Sequence, residues 1–115
     1  MWLMTKYGFY SIVQKQPDEY HVRGRERKDL ENLVAGVPLI KAEITESVDT
    51  DYAVRIIVGK SDVMAILNFL GENLDYSNFK NKIARTPDQA RKPYHDVWQV
   101  LANALGAYGR KPRSH

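Results

Sequence analysis

The stretch YHVRGRERKDL, residues 20–30, places Arg23, Arg25, Arg27 and Lys28 within six positions, with Glu26 and Asp29 among them. Guanidinium forks are planar and permanently charged, and they bind phosphate or carboxylate through paired hydrogen bonds. If this segment is extended and Val22 faces a core, Arg23 and Arg25 share the opposite side with His21. A second segment, YAVRIIVGK (52–60), puts Tyr52, Val54, Ile56 and Val58 inward and Ala53, Arg55 and Ile57 outward. Where the two segments are sheet neighbours, Arg23, Arg25 and Arg55 converge on one face. The chemistry of that face is recognition of an anion: phosphate, nucleotide or nucleic-acid backbone. The competing expectation is neutralisation by Glu43, Asp29 and Glu26 in surface ion pairs, each worth about 0–1 kcal/mol.

A second basic stretch, NFKNKIARTPDQARKPYH (78–95), carries Lys80, Lys82, Arg85, Arg91 and Lys92 against Asp88. It adjoins helix starts whose free amides attract anions. Lys80 therefore joins the three arginines as a candidate contact, against the alternative of a solvated helix face. The turn TESVDTDY offers Glu46, Asp49 and Asp51 as oxygen ligands, but without the spacing of a calcium loop, and it reads as a polar hairpin turn. His21 and His95 stand apart without metal-ligand spacing, and no metal or cofactor is expected. His95 precedes Asp96, yet no nucleophile is in register with the pair, and Ser11 and Ser61 lie in no nucleophile motif. No catalytic residue is assigned. Base stacking lacks rings on the central strands and could draw only on Tyr7, Phe9 and Tyr10 of the first strand.

The elements that must hold these side chains follow from periodicity. Residues 2–15, WLMTKYGFYSIVQK, read as one strand with Gly8 as a bulge. QPDE (16–19) turns the chain, and 19–25 return as a second strand. Leu30, Leu33, Val34 and Val37 recur at helical spacing and stop at Gly36 and Pro38. KAEITESV (41–48) alternates as a third strand, and 52–60 form a fourth. Ser61 is the expected N-cap of a second helix, with Val63, Ile66, Leu67, Leu70 and Leu74 along its apolar side. Residues 75–85 form a short helix or an irregular segment. TPDQ (86–89) signals a helix start, Pro93 a break or restart, and Tyr94, Val97, Trp98, Leu101 and Leu105 the stripe of a last helix.

Two hairpins separated by a helix merge into a four-stranded antiparallel sheet with helices on one face. The expected class is α+β, ferredoxin-like in a circularly permuted ββαββα order, with additional C-terminal helices and strand order 1-2-4-3. Val22, Leu30, Leu33, Ile44, Val54, Ile56, Ile66, Leu67, Leu70, Val97, Trp98 and Leu101 are its expected core. Residues 1–109 read as a single domain, and 110–115 as a disordered basic tail.

Composition limits the rest. Of 115 residues, 43% are hydrophobic and 27% charged, which suits a folded domain. There is no cysteine, so disulfides and thiol chemistry are excluded. The net charge of +3 equals the charge of Arg110, Lys111 and Arg113 in the tail RKPRSH, so residues 1–109 are neutral. Bulk charge thus says little about a polyanionic partner. No apolar run approaches the roughly 20 residues that span a bilayer, nor a signal-peptide core, and a cytoplasmic protein without membrane contact is expected.

The segments MWLMTKYGF, VRGRERKDLENL, DYAVRIIV, DYSNFKN and YHDVW together resemble a family of small uncharacterised bacterial proteins. Its members open with Met-Trp and Thr-x-x-Gly-Phe, and continue with Arg-x-Arg, Asp-Tyr-x-x-Arg and Asn-Phe-Lys. The resemblance spans nearly the whole chain except the tail. It implies a free-standing bacterial protein and carries no activity, cofactor or site. The expected function is a small binding or regulatory module for an anionic ligand, rather than an enzyme. The alternative is a protein-interaction module acting as a homodimer or on another partner, and nucleic acid remains open as a ligand.

Overall fold

The computed structural model describes residues 1–47, 50–86 and 92–106. These form two compact units, Met1–Tyr76 and Ser77–His115. The first is α+β, an open antiparallel sheet of five strands with two helices. Its elements are β1 (Trp2–Thr5), β2 (Gly8–Gln16), β3 (Glu19–Gly24), α1 (Arg27–Gly36), β4 (Thr45–Glu46), β5 (Val54–Val58) and α2 (Lys60–Glu72). The sheet order is β1-β2-β3-β5-β4. The second unit contains α3 (Phe79–Arg85) and α4 (Lys92–Leu105).

The single strand expected over 2–15 is two strands, which raises the count from four to five. Thr5 pairs with Gly8 across a tight turn. The Thr5 hydroxyl accepts from the amides of Tyr7 and Gly8 at 3.1 and 3.2 Å and donates to the Gly8 carbonyl at 2.9 Å. Gly8 has φ +151, which L side chains rarely adopt, and a Cβ there would run into the Asp29 carboxylate. The glycine therefore marks a reversal and not a bulge. Helix α1 grips this turn: Phe9 N–H donates to Asp29 Oδ2 at 3.2 Å, and Asn32 Nδ2 donates to the Tyr7 carbonyl at 2.8 Å.

The core lies between one sheet face and the two helices. Tyr10, Ile12, Val22, Val54, Ile56 and Val58 from the sheet meet Leu30, Leu33, Val63 and Ile66, with Val37 and Ile40 from the loop after α1. Ile44, Leu67 and Leu70 pack at its margin, partly buried. Gly36 brings α1 close to α2, since a Cβ there would overlap the Phe69 ring. Burying these aliphatic and aromatic side chains is the main stabilising term, at about 1.5–3 kcal/mol for each full burial.

Other expectations are corrected. The third strand, expected over 41–48, is Thr45–Glu46 among the described residues, and residue 48 lies outside them. Ser61 does not cap α2. Its N-cap is Gly59, and the Asp18 carboxylate in the β2–β3 turn takes the Lys60 N–H at 2.7 Å. Asp18 is held at φ +56 to do so. Val97 and Leu101 are not core residues. They are 42% and 51% exposed on α4, which belongs to the second unit. In that unit Asn78 caps α3 by accepting from Asn81 N–H at 3.0 Å. Residues 87–91 of the expected helix start, and the tail 110–115, lie outside the described residues. Among the described residues no helix is long and apolar enough to cross a membrane.

Candidate functional site

Because α1 and α2 cover one face of the sheet, the side chains of alternate parity form the other. Register fixes a row across all five strands: Trp2 pairs with Ser11, Ser11 with Arg23, Arg23 with Arg55, and Arg55 with Thr45. Directly paired residues project to the same side. Arg23 and Arg55 are thus cross-strand neighbours, as alternation predicted once β3 and β5 are adjacent. Like charges so placed repel and destabilise the empty sheet.

Each guanidinium is held by a group other than a carboxylate. Arg23 donates from Nη2 to the Ser11 hydroxyl at 2.7 Å, and its Cζ lies 4.5 Å from the Tyr52 ring centroid. Its Nε is buried without a hydrogen-bond partner. Arg25 donates from Nη1 to the Asp51 carbonyl at 2.9 Å and lies 4.9 Å from the same ring. Arg55 donates from Nη1 to His21 Nδ1 at 3.1 Å, and His21 Nε2 meets Glu19 Oε2 at 3.1 Å. Arginine can only donate, so Nδ1 is the acceptor and the ring proton sits on Nε2 facing Glu19. His21, expected to be isolated, is the link between Glu19 and Arg55.

Tyr52 was expected to face inward with Val54. It is buried, yet lies against the arginines on the opposite face. It precedes β5 by two residues, so strand alternation does not reach it.

The expected neutralisation by Asp29, Glu26 and Glu43 is not what holds the cluster. Asp29 on α1 is 3% exposed and accepts from the Phe9 amide of β2. The ion pairs among the described residues include Lys6–Asp75, His21–Glu19, Arg27–Glu31 and Arg27–Glu46, and Arg23, Arg25 and Arg55 pair with no carboxylate there. Of the acidic turn, Glu46 is engaged by Arg27 at 3.4 Å, and Asp49 lies outside the described residues. No group of acidic and histidine side chains among the described residues is arranged to hold a metal ion.

Lys80, the fourth candidate, is on α3 in the second unit. Its ammonium lies 4.2 Å from the Trp98 ring centroid, and His95 stacks on that ring at 5.7 Å. In the first unit, sequence reasoning missed the exposed ring that shares the cross-sheet row with the arginines. Tyr7 and Tyr10 go to the helix side, Tyr7 against Phe69 at 4.9 Å and Tyr10 into the core. Trp2 and Phe9 stand on the open face, 6.1 Å apart edge to face. The turn at Gly8 was the signal that would have revealed Trp2, because it folds β1 back beside β2.

No protein-family model matches the chain, and no curated protein or solved structure matches it.

Proposed function

We propose that the protein is a small binding module that recognises an anionic, phosphate-bearing ligand on the open face of its sheet, through Arg23, Arg25 and Arg55. One observation carries this reading. Three guanidinium groups share a face, two of them directly opposed across strands, and none has a carboxylate partner among the described residues. An arrangement that costs stability when empty is compensated by a bound anion. A binding role suits the site better than catalysis. His21 has both ring nitrogens engaged, and Ser11 is 1% exposed beneath Arg23, so neither is free to act on a substrate. Kinship with the family of small bacterial proteins, a cytoplasmic location and a permuted ferredoxin-like order of the sheet belong to the same proposal.

A thermal-stability screen tests it. Pyrophosphate, nucleotides and oligonucleotides should raise the melting temperature with concentration, because a ligand of the native state stabilises by mass action. Sodium chloride at equal ionic strength should not. A melting temperature indifferent to every phosphate compound would remove the reading.

A further inference from the structure

We infer that the ligand is a single-stranded nucleic acid, with a base stacked on Trp2 and its backbone phosphates on Arg23 and Arg55. This rests on the anion reading of the arginines and adds the base. Trp2 is 74% exposed although it is the largest apolar side chain of the sheet. It occupies the same cross-sheet row as Ser11, Arg23 and Arg55, and the Phe9 ring supports it from the side at 6.1 Å and 64°. Exposed rings beside a cationic track are what strand-binding surfaces require, since every base presents a π-face and every linkage a charge.

Spacing favours a strand over a mononucleotide. Neighbouring strands lie about 4.8 Å apart, so Trp2 stands roughly 10 Å from Arg23 and 14 Å from Arg55 along the row. A single nucleoside monophosphate does not reach from the ring to the farther arginine. A chain of several nucleotides laid across the strands does. The face is also unsuited to a duplex, because a ring standing on a sheet finds no unstacked base there. Ile57, 49% exposed beside His21, offers a separate apolar contact on the same face for a second base.

The experiment uses the full chain, so the basic tail contributes equally to every variant. Anisotropy is measured with a labelled single-stranded oligothymidylate, the same sequence in a duplex, and inorganic polyphosphate as the base-free anion. Trp2→Ala should weaken binding of the single strand by roughly five- to a hundredfold and leave polyphosphate unchanged. Trp2→Phe should retain most of the affinity, and its melting curve controls for folding. Arg55→Gln should weaken both anions. If Trp2→Ala changes nothing, or if duplex and polyphosphate bind as well as the single strand, the base is not read and the inference falls while the anion reading stands. If no anion binds, both fall. A Trp2-dependent dimer in sedimentation, without oligonucleotide binding, would assign the ring to a second copy of the chain and overturn the inference.

Discussion

Arg55 Nη1 donates to His21 Nδ1 across 3.1 Å, which makes a histidine the acceptor that aims an arginine. A carboxylate in that place would neutralise the guanidinium. An imidazole fixes its direction and leaves its charge available for an external anion. Glu19 on the far side holds the ring in the required tautomer.

Replacing Arg55 by Gln should therefore hold or slightly raise stability, because its repulsion with Arg23 disappears, while anion affinity falls about tenfold, the order of one charged hydrogen bond. Lys28→Gln, on the exposed start of α1, should alter neither property. Melting temperature and pyrophosphate affinity measured side by side check both. A loss of stability for Arg55→Gln with affinity intact would make the arginine structural.

Tyr52 positions two guanidiniums by its π-face, so Tyr52→Phe should preserve anion affinity and Tyr52→Leu should reduce it several-fold. Titration calorimetry with pyrophosphate reads the difference. Equal behaviour of Phe and Leu would show that the ring fills space only.

Asp18 caps α2 from a distant turn, which makes it a clasp between the β2–β3 hairpin and the helix. Asp18→Ala should cost about 0.5–2 kcal/mol, the usual value of a lost N-cap. Ser61→Ala should cost far less, since Ser61 makes no capping bond. Urea unfolding of the two variants gives the comparison, and equal losses would contradict the assignment.

Burial raises the Tyr76 phenol above its ordinary 10.0, with nearby Lys6 lowering it and Asp75 raising it. The unfolded chain then loses this proton first as pH rises, so unfolding releases protons in alkali. The stabilising contribution is complete below pH 10.0 and is lost as pH climbs through the folded value. Tyr76→Phe should flatten the alkaline limb of stability against pH, and should leave the acid limb as it was.

The face of the sheet was legible in the sequence because a strand has a period of two. Once Val22 and Ile56 are inward, Arg23 and Arg55 have no choice of side, and the helix between the hairpins makes β3 and β5 neighbours. The turn at Gly8 was not legible. WLMTKYGFYSIVQK is continuous in strand preference, and the reversal depends on one hydroxyl and one φ value. The cap of α2 escaped because its carboxylate lies 42 residues away, whereas capping signatures are local. On α4, periodicity revealed an apolar stripe at Val97 and Leu101 but not whether anything covers it.

The pairing of β3 with β5 joins residues as far apart as Tyr20 and Val58, and it brings His21 within hydrogen-bond reach of Arg55, 34 positions along the chain. The β1–β2 and β2–β3 hairpins can close locally within microseconds, but this ladder must first overcome the entropy of closing a long loop. Such non-local contacts form late in folding. A chain arrested after its hairpins would hold Arg23 without Arg55, and Asp18 without the helix it clasps. During refolding, affinity for anions should therefore emerge with the slowest phase, after most of the secondary structure has formed.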